Sequence, residues 1–121
     1  MPTIALLGTG LLGEAIGRRL LEQGVRLKVW NRSADKCAPL LEQGAVLIDN
    51  LDGAAKDCQA VITVLRDGPV SAEVIAELGA FDSVCCLPMG TMGISESRQL
   101  ELQVRAQRGS YLEAPVFGSK P

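Results

Sequence analysis

The 121-residue sequence has no histidine. Acid–base catalysis by an imidazole and metal ligation through imidazole nitrogen are therefore excluded within this chain. Aromatic residues are scarce, at 3%. They are Trp30, Phe81, Tyr111 and Phe117, scattered along the chain, so no base-stacking platform is visible and the core must be aliphatic. A basic excess is missing too: 12 Lys and Arg stand against 14 Asp and Glu, for a net charge of -2. That balance argues against a nucleic-acid partner. No apolar run is long enough to span a bilayer, so no membrane partner is expected. The N-terminus opens directly into an apolar strand, so no signal peptide is expected. The four cysteines, Cys37, Cys58, Cys85 and Cys86, form no C-x-x-C pair. Buried free thiols of a reduced, cytoplasmic protein fit this pattern better than a zinc site or a redox pair.

What is present is a 47% apolar composition, enough for one core and one domain at this length. Strand and helix patterns alternate. Residues 3–7 form an apolar run that reads as a strand buried on both faces. Apolar residues then recur at helical spacing over 11–23, and Gly24 is placed to stop that helix. A second strand is predicted over 26–30. Ser33 is placed to cap a helix reaching about Gln43, with Pro39 awkward inside it. A weak strand over 45–48, a short helix over 51–57 and a strand over 60–65 follow. Residues 66–69 read as a turn, 70–78 as a helix ended by Gly79, and 83–87 as a strand. Ser95 is placed to cap a long polar helix to about Gln107, and the last strand is predicted over 111–113. This alternation predicts an α/β fold of Rossmann type, a doubly wound parallel sheet with helices on both faces. The expected division is a dinucleotide-binding domain over 1–113 and the start of a connection over 114–121.

Gly8-Thr9-Gly10-Leu11-Leu12-Gly13 is a G-x-G-x-x-G. Its weight comes from context, because it follows a predicted strand and opens a predicted helix. Gly8 suits a tight turn, Gly10 leaves the backbone open to a pyrophosphate, and Gly13 lets the helix approach the sheet. The helix N-terminus offers amide donors and partial positive charge to the phosphates. An NAD site places an acid roughly 20 residues further on, to hold the ribose 2′-hydroxyl. Here that place holds Asn31-Arg32-Ser33, with Lys36 one helical turn on and no acid. A guanidinium grips a 2′-phosphate that an acid would repel, so the cofactor expected is NADP(H) in preference to NAD(H). The other reading of Arg32 is a solvated loop residue.

These segments resemble the β-hydroxyacid dehydrogenases, which include 3-hydroxyisobutyrate dehydrogenases, glyoxylate/succinic semialdehyde reductases, 6-phosphogluconate dehydrogenases and imine reductases. Two later segments add to the likeness. Met89-Gly90-Thr91-Met92-Gly93 resembles the family loop whose threonine lies by the nicotinamide ribose. Tyr111 to Ser119 resembles the family's substrate-binding motif, closest to the glyoxylate-reductase branch. The resemblance implies cofactor contacts at Gly8, Gly10, Leu11, Leu12, Gly13, Asn31, Arg32, Ser33, Lys36, Leu65 and Thr91, and substrate contacts at Gly118 and Ser119. It implies a small-molecule substrate, a hydroxy acid, aldehyde or imine, and a homo-oligomer or self-associating chain. The family's catalytic lysine lies beyond this motif, followed by an all-helical domain. Lys120 stands too close to the motif to be that lysine, so no catalytic residue and no metal ligand is expected within these 121 residues. Two positions depart from the family: Phe117 replaces a serine that would bind a substrate carboxylate, and Leu12 stands where methionine is common.

Several residues keep a plainer reading. Asp67 reads as a turn former beside Gly68 and Pro69, or as a contact on the nicotinamide side. Thr91 also fits an ordinary loop position. Two other functions suit the glycine turn: a non-catalytic module that senses NAD(P), and a deazaflavin-dependent NADP oxidoreductase. A sensor would keep an acid where Asn31-Arg32 stand, and neither function explains residues 114–119.

Overall fold

The computed structural model describes residues 2–65, 68–89 and 94–112. Thr91, Gly118, Ser119, Asp67 and the rest of 113–121 lie outside the described residues. Six strands form one parallel sheet: β1 (Thr3–Leu7), β2 (Arg26–Trp30), β3 (Val46–Leu47), β4 (Ala60–Thr63), β5 (Cys85–Pro88) and β6 (Ser110–Tyr111). Their order across the sheet is β3-β2-β1-β4-β5-β6, the doubly wound order of a dinucleotide-binding fold. Four helices connect them: α1 (Leu11–Glu22), α2 (Ala38–Glu42), α3 (Gly68–Leu78) and α4 (Ile94–Ala106).

Strand side chains alternate between faces, so β1 feeds two cores. Ala5 and Leu7 join Val61, Cys86, Phe81 and the inner residues of α3 and α4, among them Val74, Ile75, Leu78, Leu100 and Val104. Leu6 joins Leu27, Val29, Ile62 and Leu40 on the other face, under Ile16, Leu20 and Leu21 of α1. Both cores are nearly all aliphatic, as the scarcity of aromatics demands. Among the described residues Phe81 is the one aromatic of the largest fully buried side chains. Gln107 fastens α4 to the end of α3, its Nε2 donating to the carbonyl oxygens of Ile75 at 2.8 Å and Gly79 at 2.6 Å.

The register places the site. Leu7 lies beside Trp30 of β2 and beside Thr63 of β4. The chain therefore leaves these three strands abreast, at one edge of the sheet, which is where open α/β sheets bind ligands.

Local structure departs from sequence expectation in several places. The helix expected over 33–43 is broken into a 3-10 turn, Ala34–Cys37, and the short α2. Pro39 falls in the first turn of α2, where its missing N–H costs no hydrogen bond. Ser33 precedes the 3-10 turn but makes no side-chain capping bond. Residues 51–57 form turns rather than a helix, because Gly53 and Asp57 adopt positive φ. Gly68 and Pro69 begin α3 instead of forming a turn. The strand expected from 83 starts at Cys85, since Asp82 and Ser83 have φ of 50 and 74°, which a strand does not allow. The helix expected to be capped by Ser95 already begins at Ile94.

Candidate functional site

The three glycines of the turn after β1 have different jobs. Gly8 has a φ of +111°, and a Cβ there would overlap the carbonyl oxygen of Val64. Its N–H donates to the carbonyl oxygen of Trp30 at 2.7 Å. A Cβ at Gly13 would overlap the carbonyl oxygen of Gly8. Both positions are closed to any side chain by backbone alone. Gly10 is the opposite case. Its φ of -70° and ψ of -162° are open to any residue, and a Cβ there would meet no protein atom within 4 Å. The fold does not need glycine at this position.

Gly10 is also the N-cap of α1, with no side-chain capping bond. The first intrahelical bond runs from the N–H of Glu14 to the carbonyl oxygen of Gly10, at 2.8 Å. By helix geometry the amides of Leu11, Leu12 and Gly13 have no intrahelical acceptor. Leu11 is 94% exposed beside them, and Leu12 is half-buried. Glu14, in the first turn, is held by Arg18 at 2.7 Å and so faces away from these donors along its own helix.

The loop after β2 is tied to this turn by two side chains. Asn31 accepts from the N–H of Thr9 through Oδ1 at 2.9 Å and donates from Nδ2 to the carbonyl oxygen of Ser33 at 3.1 Å. Thr9, only 3% exposed, donates its hydroxyl to the carbonyl oxygen of Lys36 at 3.1 Å. Its Oγ1 also lies 3.8 Å from the Sγ of Cys37. Burial pushes that thiol above its ordinary range, partly opposed by the Thr9 contact. These bonds bring Arg32, Ser33 and Lys36 to the rim beside the glycine turn, all three exposed. Arg32 reaches across to Glu73 of α3 at 3.6 Å. On the other side of β1, Leu65 packs its Cδ2 within 3.3 Å of the space above Gly8.

The structure thus gathers Gly8, Gly10, Leu11, Leu12, Gly13, Asn31, Arg32, Ser33, Lys36 and Leu65 at one edge of the sheet. Asn31 has a role that sequence reasoning did not assign, since its carboxamide bonds the protein's own backbone. Thr9 was missed altogether. The one available signal was a polar side chain placed between two glycines of a turn. Thr91, Gly118 and Ser119 lie outside the described residues. Among the described residues no three His, Cys, Asp or Glu side chains come together as a metal site, and no helix is long and apolar enough to cross a membrane.

The arrangement suits a phosphate-bearing dinucleotide, and known proteins share the fold that carries it. The chain is 30% identical over 122 residues to glyoxylate/succinic semialdehyde reductase 1 of Arabidopsis thaliana, covering 97% of this chain and 42% of the relative. An imine reductase from a Pseudomonas species superposes with a TM-score of 0.86 at 25% identity, over 93% of this chain and 40% of that one. A reductive aminase from Aspergillus terreus, solved with NADPH and ethyl levulinate, superposes with a TM-score of 0.86 at 27% identity and the same coverage. Solved neighbours include complexes with NADPH and with NAD+. This chain spans about two fifths of the length of these relatives. The family model of the NAD-binding domain of 6-phosphogluconate dehydrogenase matches residues 3–121, and the chain belongs to that family of NAD(P)-binding domains.

Proposed function

We propose that this chain is the NADPH-binding part of a reductase that acts on a small aldehyde, hydroxy acid or imine. The observation that carries cofactor binding is Gly10. Neither backbone angle nor packing requires a glycine here. Close approach of a pyrophosphate to the backbone explains it, with the free amides of Leu11, Leu12 and Gly13 as donors. The choice of NADPH rests on Arg32 and Lys36 at the rim, with Asn31 in the place of an acid. Ser33 completes that rim, and Leu65 offers an apolar wall on the β4 side.

When bound, the nicotinamide supplies the hydride. The residues of this chain bind and orient. Thr9 and Asn31 fix the rim relative to the turn, so that pyrophosphate and 2′-phosphate contacts are set at a constant spacing. Thr91 is proposed beside the nicotinamide ribose, and Gly118 and Ser119 beside the substrate. The likeness to a glyoxylate/succinic semialdehyde reductase and to imine reductases supports a carbonyl or imine substrate.

The test is titration of NADPH and NADH on the purified chain at one fixed salt concentration. NADPH binds more tightly. Arg32→Ala weakens NADPH by roughly 10- to 150-fold, the worth of a charge-assisted contact of about 1.5–3 kcal/mol, and changes NADH little. Equal affinity for the two cofactors in the unaltered chain would remove the proposed preference.

A further inference from the structure

We infer, given NADPH as the cofactor proposed above, that Glu73 sets the strength of the NADPH preference by competing with the 2′-phosphate for Arg32. The geometry is specific. Arg32 follows β2, and Glu73 lies on α3, the helix after β4. In the sheet β2 and β4 are not neighbours, because β1 runs between them. Two strand spacings, about 10 Å, separate them. The Arg32–Glu73 pair therefore spans the end of β1, where the chain turns through Gly8. Gly8 is itself held on one side by Trp30 of β2 and backed on the other by Val64 after β4. The pair thus joins the two walls of the crevice over the turn that receives the pyrophosphate.

Its character differs from three other ion pairs among the described residues. Arg18–Glu14, Arg19–Glu22 and Arg105–Glu101 each join residues three or four apart on one helix. Arg32–Glu73 joins two elements 41 positions apart, with both side chains about two-thirds exposed and a loose 3.6 Å separation. Such a pair is weak and readily exchanged. A phosphate is the better partner for a guanidinium, since it takes two parallel hydrogen bonds. Binding of NADPH therefore moves Arg32 from the carboxylate to the phosphate. The carboxylate opposes this twice: it holds the guanidinium in the free chain, and its charge remains near a second anion. NADH carries no 2′-phosphate, so Glu73 does not weaken it in this way.

The experiment is a double-mutant cycle read as binding affinity. NADPH and NADH are titrated on the unaltered chain, Glu73→Gln, Arg32→Ala and the double variant. Glu73→Gln is isosteric and exposed, so folding is retained. It is expected to tighten NADPH about two- to five-fold, the span of an exposed ion pair, and to leave NADH unchanged. Glu73→Lys is expected to tighten NADPH further. In the Arg32→Ala background the gain from Glu73→Gln shrinks, because the two residues are coupled. Unchanged or weakened NADPH binding in Glu73→Gln overturns the role of Glu73, as does an equal gain for NADH. If Arg32→Ala weakens both cofactors alike, Arg32 does not hold a 2′-phosphate, and the inference falls with the NADPH preference. If Arg32→Ala is selective and Glu73→Gln is neutral, the preference stands and the role of Glu73 alone is lost.

Discussion

The hydroxyl of Thr9 donates to the backbone carbonyl of Lys36 at 3.1 Å, joining the turn after β1 to the loop after β2 across 27 residues of sequence. With the bond from the N–H of Thr9 to Asn31, this makes the phosphate turn and its basic rim one rigid unit. Thr9→Val keeps the shape and removes the donor. Stability is expected to fall by about 0.5–1.5 kcal/mol, one hydrogen bond's net worth. NADPH affinity is expected to fall more than NADH affinity, because the rim loses its fixed spacing. Thr9→Ser restores both. Urea unfolding and titration of the two cofactors check this, and a Thr9→Val chain with unaltered NADPH binding counts against a positioning role.

The glycines separate fold from binding. Gly10→Val is expected to abolish cofactor binding and to lower stability by no more than about 1 kcal/mol, since its side chain meets only open space. Gly13→Ala is expected to cost at least about 1–3 kcal/mol, since its Cβ overlaps the carbonyl oxygen of Gly8 and backbone must move. Circular dichroism in urea gives the stabilities, and cofactor titration gives the binding. Normal binding by a folded Gly10→Val chain would make the turn a purely structural feature.

What was legible in the sequence is what depends on neighbours in the chain. The glycine turn, the first two strands and the first helix are local patterns, and they stand where the pattern put them. Over 51–57 a helix was expected, and Leu51, Ala54 and Ala55 there are buried. The conformation was not legible, because Gly53 and Asp57 leave the helical region while the apolar side chains still reach the core. The same limit applies at the site. Thr9 finds its partners 22 to 28 residues away, and Arg32 finds Glu73 only after β1 has been laid between their strands. Asn31 was legible as part of the site, yet its bonds to Thr9 and Ser33 appear only once the loop closes on the turn.

The thiol of Cys86 is pushed up to about 12 from an ordinary 9.0, chiefly by burial, with the neighbouring Cys85 adding to it. The folded chain therefore keeps a proton that the unfolded chain gives up. Fewer protons on the unfolded state mean that stability falls as pH rises. The contribution is intact below pH 9 and is lost between about 9 and 12, at up to about 1.4 kcal/mol per pH unit. Cys86→Ala is expected to cost stability below about pH 9 through the cavity it leaves, and to flatten this alkaline decline. Urea midpoints at pH 8, 9.5 and 10.5 in the presence of a reductant compare the two chains. Parallel declines in both would show that Cys86 is not their source.

The 121-residue chain is expected to bind cofactor and not to turn over. Hydride transfer to a carbonyl or imine needs a proton as well, and a positioned donor typically contributes about 10²–10⁴-fold. The sequence has no histidine, and its lysines are Lys28, Lys36, Lys56 and Lys120. Lys28 lies within β2 and donates to the carbonyl oxygen of Ala54 at 2.9 Å. Lys56 precedes β4, at the edge of the sheet opposite the glycine turn. Lys36 stands at the rim proposed for the 2′-phosphate, far along a dinucleotide from its nicotinamide. Lys120 directly follows the proposed substrate residues Gly118 and Ser119, and the family resemblance does not make it the proton donor. The measurement is NADPH oxidation by the purified chain with glyoxylate, succinic semialdehyde and a cyclic imine. Saturable turnover that disappears in Gly10→Val would refute the expectation that this chain holds the hydride side of the reaction without the proton side. Another proton donor would then have to be sought, with Asp67 and Glu113 the first to be replaced.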